Sequence, residues 1–475
     1  MPPQHRKEDR PVAALIGPDL LIMLEESPGS VAAETEELHP ANLADVAETL
    51  EPEQVVHLLA ALPNDRAADV LEYLDEDFRA DVVERMNVAT AAALVSEMTP
   101  DDRADVIEEL GEELGEERAD EILSALPATE RRETEQLLSY PADSAGGLMT
   151  TEFVSVSEDT PVEDVLRSVR AVARAGRREA MYTIYATDAF GVVRGVLSLR
   201  ELLAAPDGTK VGDLAWTDVL SVPATADREE VARITSKYDL VAVPVVDDAG
   251  RILGVVTVDD VIDAIVEEGT EDVQRLGGVE PLEESYMNTG FAAMMRKRAG
   301  WLMALFLSEM LTTGAMTHFQ SEIERAALLA TFVPLIISSG GNSGSQATSL
   351  IIRAMALSEV RLREWWRVAG REITAGLTLG LILGIIGFFR IMTWHALGWN
   401  AYGGHAVLVA LTVGSALIGV VGFGTLVGSM LPFLLKRLGF DPASASAPFV
   451  ATLVDVTGIS IYFYVALVIL RGTLL

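Results

Sequence analysis

The chain has 475 residues, no cysteine and a formal net charge of −35. Residues 1–290 carry 23 Lys and Arg against 63 Asp and Glu, whereas residues 291–475 carry 13 against 8. This division predicts a soluble domain joined to a membrane domain and excludes a plain soluble enzyme. It also argues against nucleic-acid binding and for cations as ligands, and the lack of cysteine excludes disulfides and thiolate metal sites.

The first predicted elements are helical. Residues 1–37 form an N-terminal segment in which the apolar stretch 12–24 predicts a short amphipathic helix. Over residues 38–138 an apolar residue recurs at every twelfth position, at Leu38, Leu50, Leu62, Leu74, Met86, Met98 and Leu110. Most are followed by Pro, Asp or Asn and then by an acidic stretch with helical spacing, which predicts a turn, an N-cap and two turns of helix. Such units are stable only when stacked, so we expect an all-α superhelix.

Residues 139–206 and 207–265 predict two copies of one α/β domain. Both follow the order strand, helix, strand, strand, helix, and Gly195-Val196-Leu197-Ser198 recurs 59 positions later as Gly254-Val255-Val256-Thr257. The pair resembles CBS domains (the cystathionine-β-synthase type), regulatory modules that often bind adenine nucleotides. The resemblance implies that Thr257 and Asp260 contact the ribose of ATP or a relative. Glu201 stands at the position of Asp260 in the first copy, so only the second pocket is expected to bind.

A helical connector predicted for residues 266–295 leads to the membrane part. The segment at and just before its start, residues 259–272, is strongly acidic. Residues 259–272 hold seven acids: Asp259, Asp260, Asp263, Glu267, Glu268, Glu271 and Asp272. Helical spacing places Asp260, Asp263, Glu267 and Glu271 on one stripe, with Asp259 and Glu268 beside it. Like charges so arranged destabilise the helix, and a divalent ion bridging them would stabilise a compact state. A solvated acidic helix remains the alternative interpretation.

Residues 296–475 predict a membrane domain with five spans, at 299–320, 326–352, 373–394, 406–435 and 448–470. Basic residues gather at residues 296–298, 353–371 and 436–437, and these loops alternate with loops that carry few. The positive-inside rule then places the N-terminus in the cytoplasm and the C-terminus outside, in a multi-pass protein of the plasma membrane.

Three residues within the spans are candidates for ion contact. Asp455 lies in the fifth span, where an unpaired carboxylate is costly unless it faces a water-filled path. Asn342 belongs to SSGGNSGSQATS, a stretch of small and polar residues that suits a pore lining, although small residues also serve plain helix packing. Glu309 in the first span contacts the ion or is hydrogen-bonded and neutral, and the sequence leaves both open.

The chain resembles the MgtE family of magnesium channels. The resemblance rests on the acidic repeats, LSYPADSAGGLMTTEFV, the CBS pair ending in GVVTVDDVIDAIVEEGTEDVQRLGG, PLIISSGGNSGSQ and PFVATLVDVTG. It implies a homodimer in the lipid bilayer with a pore between the two membrane domains. It also implies that Asp455 is the main selectivity ligand, that Ala451 offers its carbonyl, and that Asp227, Glu229 and Asp239 join the acidic stripe in binding Mg²⁺. Ala447 departs from the Asn expected at the pore mouth.

The sequence as a whole predicts a Mg²⁺-selective channel for magnesium uptake, gated shut by cytosolic Mg²⁺ bound to the acidic domains. Magnesium prefers oxygen ligands and sheds water reluctantly, which suits two Asp455 carboxylates around a hydrated ion. No set of nucleophile, base and orienting group is present, so we expect no enzyme. Two rival hypotheses remain, a channel for Mn²⁺, Co²⁺ or Ni²⁺ and a membrane-anchored sensor of adenine nucleotides.

Overall fold

The computed structural model describes residues 11–174, 183–282, 286–287, 289–357, 359–399 and 402–475. Residues 1–10 of the predicted N-terminal segment, and residues 283–285 and 288 of the predicted connector, lie outside the described residues. The chain divides into two compact units, residues 1–265 and residues 266–475.

The first unit opens with the predicted superhelix. Its helices are α1 (Pro11–Glu26), α2 (Val31–Glu34), α3 (Pro40–Ala47), α4 (Pro52–Ala60), α5 (Asn64–Glu72), α6 (Glu76–Glu84), α7 (Val88–Val95), α8 (Pro100–Leu114), α9 (Glu116–Ala125) and α10 (Ala128–Leu137). Helices α3 to α8 start at steps of twelve residues, and the repeated Leu and Met side chains from Leu50 to Leu110 lie in one core. Each helix from α3 to α7 packs against the next but one, which is the stacking that short repeats require.

Arginine side chains tie distant repeats together. Arg66 donates to the carbonyl of Leu38 at 2.6 Å, and Arg118 donates to the carbonyl of Met86 at 2.7 Å. Arg103, which is nearly buried, donates through Nε to the hydroxyl of Thr134 at 2.9 Å. Each bond satisfies a polar group that burial would otherwise leave unpaired, so the stack is fixed by more than apolar contact.

The two CBS copies follow. The first contains β1 (Val154–Ser157), α11 (Val162–Arg174), β2 (Ile184–Thr187), β3 (Val193–Leu197), α12 (Leu199–Ala204) and α13 (Val211–Leu214); the second contains β4 (Val222–Pro223), α14 (Arg228–Tyr238), β5 (Ala242–Val246), β6 (Ile252–Thr257) and α15 (Val258–Leu276). In each sheet the first strand pairs parallel with the second, and the second pairs antiparallel with the third. The matching topology confirms the predicted duplication.

The second unit is the membrane domain. Its helices are α16 (Phe291–His318), α17 (Gln320–Arg325), α18 (Ala327–Ala330), α19 (Val333–Ala356), α20 (Trp365–Ala396), α21 (Ala406–Leu438) and α22 (Ala447–Ile469). Within the described residues, five helical segments are long and apolar enough to cross a membrane: α16, α18 with α19, α20, α21 and α22. The prediction of five spans is therefore confirmed.

Two boundaries differ from the sequence-based expectation. The predicted connector over residues 266–295 is not one helix, because α15 ends at Leu276 and Gly278 follows with a φ of 74°. The first membrane helix begins earlier than expected, at Phe291, so Arg296, Lys297 and Arg298 lie inside α16. Hydropathy alone hides that extension because Arg296, Lys297 and Arg298 separate the apolar residues 291–295 from the apolar run that follows.

Helix α21 packs against α19 and α20 through glycine. A Cβ atom added to Gly428 would lie 2.2 Å from the carbonyl oxygen of Gly344, and one added to Gly384 would lie 2.7 Å from that of Gly414. The hydroxyls of Ser343 and Thr425 are 2.7 Å apart in the same α19–α21 contact. Backbones that approach so closely leave no room for larger side chains.

Candidate ion pathway and acidic sites

Asp455 is a half-buried carboxylate within a membrane helix. It lies eight residues from the start of α22, about 12 Å along the helix axis, and Ala451 is one turn earlier on the same face. Among the residues that the structure describes, no basic side chain forms an ion pair with Asp455. The carboxylate of Glu309 on α16 is close enough to interact with it electrostatically. Two carboxylates within membrane helices, with no basic side chain paired to Asp455 among the described residues, favour the binding of a cation.

Helix α19 packs against α22 and carries a row of exposed polar side chains. Gly341 lies against Ala451, with its ideal Cβ position 3.5 Å from the Cβ of that residue. Ser338, Asn342 and Gln346 are exposed at intervals of four residues, so all three lie on one side of α19. Of these three residues only Asn342 was predicted, although the same helical spacing points to Gln346.

The start of α22 retains a polar contact despite Ala447. The hydroxyl of Ser345 on α19 donates to the Ala447 carbonyl at 3.3 Å, and Ser446 caps the helix by accepting from the amide of Phe449. The indole of Trp301 also donates to the Ser446 hydroxyl at 3.0 Å. Polar groups at this end of α22 therefore come from α19 and from the residue before Ala447.

In the first unit, acids of α8 lie beside the start of α15. Burial, with the charges of Asp101 and Asp259, raises the pKa of Asp102 to about 6. Burial and the charge of Asp101 likewise raise the pKa of Asp260, whose carboxylate accepts a 2.6 Å hydrogen bond from Thr257. The twelve-residue pattern gives no sign of this contact, because it joins segments about 160 residues apart in the chain.

The acids assigned to α14 do not form one cluster. Asp227 caps the start of α14 and accepts from the amide of Glu229 at 2.8 Å. Asp239 ends the helix in the left-handed region, with a φ of 52°, about 18 Å away by helical rise. Throughout the described residues, no three Asp, Glu or His side chains converge closely enough to hold a metal ion. The acids are thus grouped but not assembled into a closed coordination site.

In the second unit, an acidic group surrounds one arginine. Arg275 forms ion pairs with Glu271 at 2.7 Å and with Asp441 at 2.5 Å. Burial, then the charges of Asp441 and Glu268, raise the pKa of Asp272 to about 6. Asp441 precedes α22 and was missed, because its only signal was an acid in the loop after the basic end of α21.

The two CBS copies differ at the predicted nucleotide position. The carboxylate of Glu201 accepts hydrogen bonds from the Ser198 amide at 2.7 Å and from the Trp216 indole at 2.6 Å. In the second copy, Thr257 ends β6, Asp260 lies in the first turn of α15, and the two share the hydrogen bond given above. The Glu201 carboxylate of the first copy is therefore already engaged by Ser198 and Trp216.

Comparisons with known proteins agree with this arrangement of domains. Residues 333–465 match the family MgtE, described as a divalent cation transporter, residues 38–143 match the MgtE intracellular N domain, and residues 145–208 and 211–267 match CBS domains. The chain is 44% identical over 342 residues to the magnesium transporter MgtE of Thermus thermophilus, covering 72% of this chain and 73% of that protein. It is 34% identical to the magnesium transporter MgtE of Enterococcus faecalis, covering 72% of each.

Among solved structures, the crystal structure of the cytosolic domain of the Mg²⁺ channel MgtE in complex with ATP aligns with 49% of this chain and 92% of that one. The sequence identity is 37% and the TM-score is 0.46.

Proposed function

This chain belongs to the MgtE family of divalent cation transporters, and from that premise we propose that it is a Mg²⁺-selective channel for magnesium uptake. It is a multi-pass membrane protein, and its curated relatives are magnesium transporters. The channel is proposed to lie in the plasma membrane, with its N-terminus in the cytoplasm and its C-terminus outside. Basic residues at 296–298, 353–371 and 436–437 support that orientation.

The half-buried carboxylate of Asp455 is the observation that carries this proposal. A charge within a membrane helix is costly and is retained where it contacts an ion or lines a water-filled path. Asp455 has Ala451 one turn away on α22, and α19, which carries exposed Asn342, packs against α22 through Gly341 and Ala451. Oxygen ligands around a hydrated ion suit Mg²⁺, which keeps part of its water shell.

We propose that the pore forms between two copies of the chain. Ser338, Asn342 and Gln346 are exposed on α19, and polar side chains facing lipid would lack hydrogen-bond partners. A second membrane domain placed against this face would enclose a polar path with one Asp455 from each copy. The homodimer thus removes the cost of the polar face and completes the ligand set.

Gating is proposed to follow from the acids of the soluble part. Asp101, Asp102, Asp259 and Asp260 lie together in the first unit, and burial, followed by the charges of neighbouring acids, raises the pKa of Asp102 and Asp260. Cytosolic Mg²⁺ bound at these acids and at Asp263, Glu268, Glu271 and Asp272 would relieve their mutual repulsion. The bound ions shift the gate only by their greater affinity for the closed form, so several weak sites acting together give a steep response.

ATP is proposed to bind the second CBS copy. Thr257 and Asp260 lie together where β6 meets α15, as a ribose contact requires, whereas Glu201 of the first copy is engaged by Ser198 and Trp216. Calorimetry on the full chain tests this. We expect Asp260→Asn to weaken ATP binding at least tenfold and Glu201→Gln to leave it unchanged. Equal binding by both variants would place the nucleotide elsewhere.

Ion flux into proteoliposomes tests the channel and its rivals. We expect Asp455→Asn to abolish Mg²⁺ flux while the protein still elutes as the parent does, and Glu324→Gln, an exposed acid outside the spans, to conduct normally. Flux of Mn²⁺, Co²⁺ or Ni²⁺ in preference to Mg²⁺ would favour a channel for those ions. Nucleotide binding without any cation flux would favour an anchored sensor.

A further inference from the structure

The loop between α19 and α20, with the first turns of α20, presents an exposed basic and aromatic surface. We call residues 359–371 the arginine–tryptophan loop. It carries Arg361, Arg363, Arg367 and Arg371 against Glu359 and Glu364. All four arginines are exposed, and Trp365 and Trp366 beside them are 54% and 59% exposed.

This loop is held in place by the membrane helices. The amides of Glu359 and Val360 donate to the Ala354 carbonyl at 2.8 and 3.1 Å, which turns the chain back at the end of α19. Val360 packs in an apolar cluster with Ile351 and Phe433. The arginines are therefore displayed from a fixed position rather than from a free tail.

The loop keeps an excess of two positive charges over its own glutamates. The Glu364 carboxylate accepts a hydrogen bond from the amide of Arg361 at 3.1 Å and forms an ion pair with the guanidinium of Arg367 at 3.4 Å. Arg361 and Arg363 form no ion pair with any residue that the structure describes. Lys436 and Arg437 follow Phe433 at the end of α21 and add charge of the same sign. Such a cluster attracts a polyanion or a set of anionic groups.

The adjacent tryptophans identify the kind of anion. They begin a helix that spans the membrane, and tryptophan is enriched where hydrocarbon meets lipid headgroups. Arg367 also lies over the ring of Trp366, at 5.5 Å from its centroid. A guanidinium binds a phosphate through two parallel hydrogen bonds. A free phosphate or a soluble polyanion has no apolar part that would contact the indole rings.

We propose that the arginine–tryptophan loop binds the phosphodiester headgroups of anionic phospholipids. Arg361, Arg363 and Arg367 hold the headgroup phosphates, and Trp365 and Trp366 lie among the glycerol and upper acyl regions. The bound lipid thereby fixes the ends of α19 and α20 at the membrane surface. Lipid binding of this kind requires only that the chain is a membrane protein, and it is independent of the transported ion.

Lipid retention by the full chain tests the proposal. The protein is purified from bilayers of phosphatidylcholine with about 30% phosphatidylglycerol, and bound lipids are counted by native mass spectrometry. We expect the parent to retain phosphatidylglycerol preferentially. We expect Arg361→Gln/Arg363→Gln/Arg367→Gln to lose that preference by at least about fivefold, since three guanidinium groups near the surface no longer attract the headgroup phosphates.

Matched control variants separate headgroup binding at this loop from a general effect of positive charge. Arg167→Gln/Arg170→Gln/Arg233→Gln removes the same charge from α11 and α14 and should leave the preference intact. If the glutamine variant fails to fold, the Arg→Lys triple variant keeps the charge but loses the paired hydrogen bonds, and we expect partial loss. Unchanged retention in the folded variants would overturn the proposal. Displacement of the lipid by millimolar inorganic phosphate, or preferential capture of RNA, would also overturn it.

Discussion

The Nη1 atom of Arg275, near the end of α15, lies 2.5 Å from Oδ2 of Asp441, in the loop before α22. The same guanidinium pairs with Glu271. Burial and the charges of Asp441 and Glu268 raise the pKa of Asp272. One cation is thus shared among four acids within the second unit. A divalent ion would supply further positive charge.

Replacing Arg275 should make this acidic group dependent on Mg²⁺. Arg275→Gln removes the guanidinium that pairs with Glu271 and Asp441, so we expect a lower Tm in the absence of divalent ions. Added Mg²⁺ should then raise the Tm of the variant more than that of the parent, because it takes over the lost charge. Arg251→Gln, which removes a pair with Asp247 in the first unit, is the control. Equal Mg²⁺ stabilisation of parent and Arg275→Gln would contradict the prediction.

Asp272 should give stability a pH dependence of predictable sign. Its pKa is raised from 3.8 to about 6, so between these values the folded state holds a proton that the unfolded chain has released. The contribution of this group to stability therefore falls as the pH rises through that window and is constant above it. In Mg²⁺-free buffer, the Tm of Asp272→Asn should decline less than that of the parent from about pH 4 to pH 6. If the Tm of Asp272→Asn and that of the parent changed in parallel with pH, the prediction would be wrong. The control variant is Asp120→Asn, which replaces an exposed acid on α9, and its Tm should change with pH as that of the parent does.

The acids near and along α15 should set the Mg²⁺ sensitivity of the gate. Neutralising Asp259, Asp263, Glu268 and Glu271 together, with Asn or Gln, should leave conduction intact and raise the Mg²⁺ concentration needed for closure at least tenfold. A change of tenfold corresponds to about 1.4 kcal/mol of lost coupling. Patch recordings with Mg²⁺ applied to the cytoplasmic side measure it.

The matched control neutralises four exposed acids of α9, at Glu116, Glu117, Asp120 and Glu121, and should close as the parent does. If both quadruple variants shifted equally, general charge and not the acids of α15 would control the gate.

The glycine contact between α19 and α21 should be intolerant of a methyl group. Gly428→Ala would place a Cβ 2.2 Å from the Gly344 carbonyl oxygen, and such overpacking costs about 1–3 kcal/mol. Gly370→Ala on α20, where no atom lies within 4 Å of the new Cβ, should be neutral or slightly stabilising. Thermal unfolding in detergent measures the stability of both variants. Equal Tm values for the two variants would contradict the close contact between Gly428 and Gly344.

The fold could be predicted from sequence wherever a pattern was regular. The twelve-residue recurrence from Leu50 to Leu110 placed the repeats, and the 59-residue offset between Gly195 and Gly254 placed matching strands β3 and β6. The apolar runs placed five membrane helices. The prediction failed at the connector, where Gly277, Gly278 and Pro281 mark the end of α15 and Arg296–Arg298 interrupt the apolar residues of early α16.

The candidate site was less predictable, because it depends on distant contacts. Asp455 could be found since a charge in an apolar run stands out by itself. Asp102 and Asp441 could not, because only folding brings them beside Asp259 and Asp272 respectively. Conversely, Asp227 and Asp239 were grouped in one binding set, although they cap opposite ends of α14.

The regular starts of α3 to α8, at residues 40, 52, 64, 76, 88 and 100, constrain how this domain changes length in evolution. Insertion of one residue inside a repeat would rotate every later side chain of that helix by about 100° and turn buried positions toward water. Gain or loss of twelve residues would preserve the alternation of buried and exposed faces. However, the arginine ties reach about thirty residues along the chain, as from Arg118 to Met86, so a lost repeat also separates their partners. Descendants of this domain should therefore differ by whole repeats that keep such pairs together.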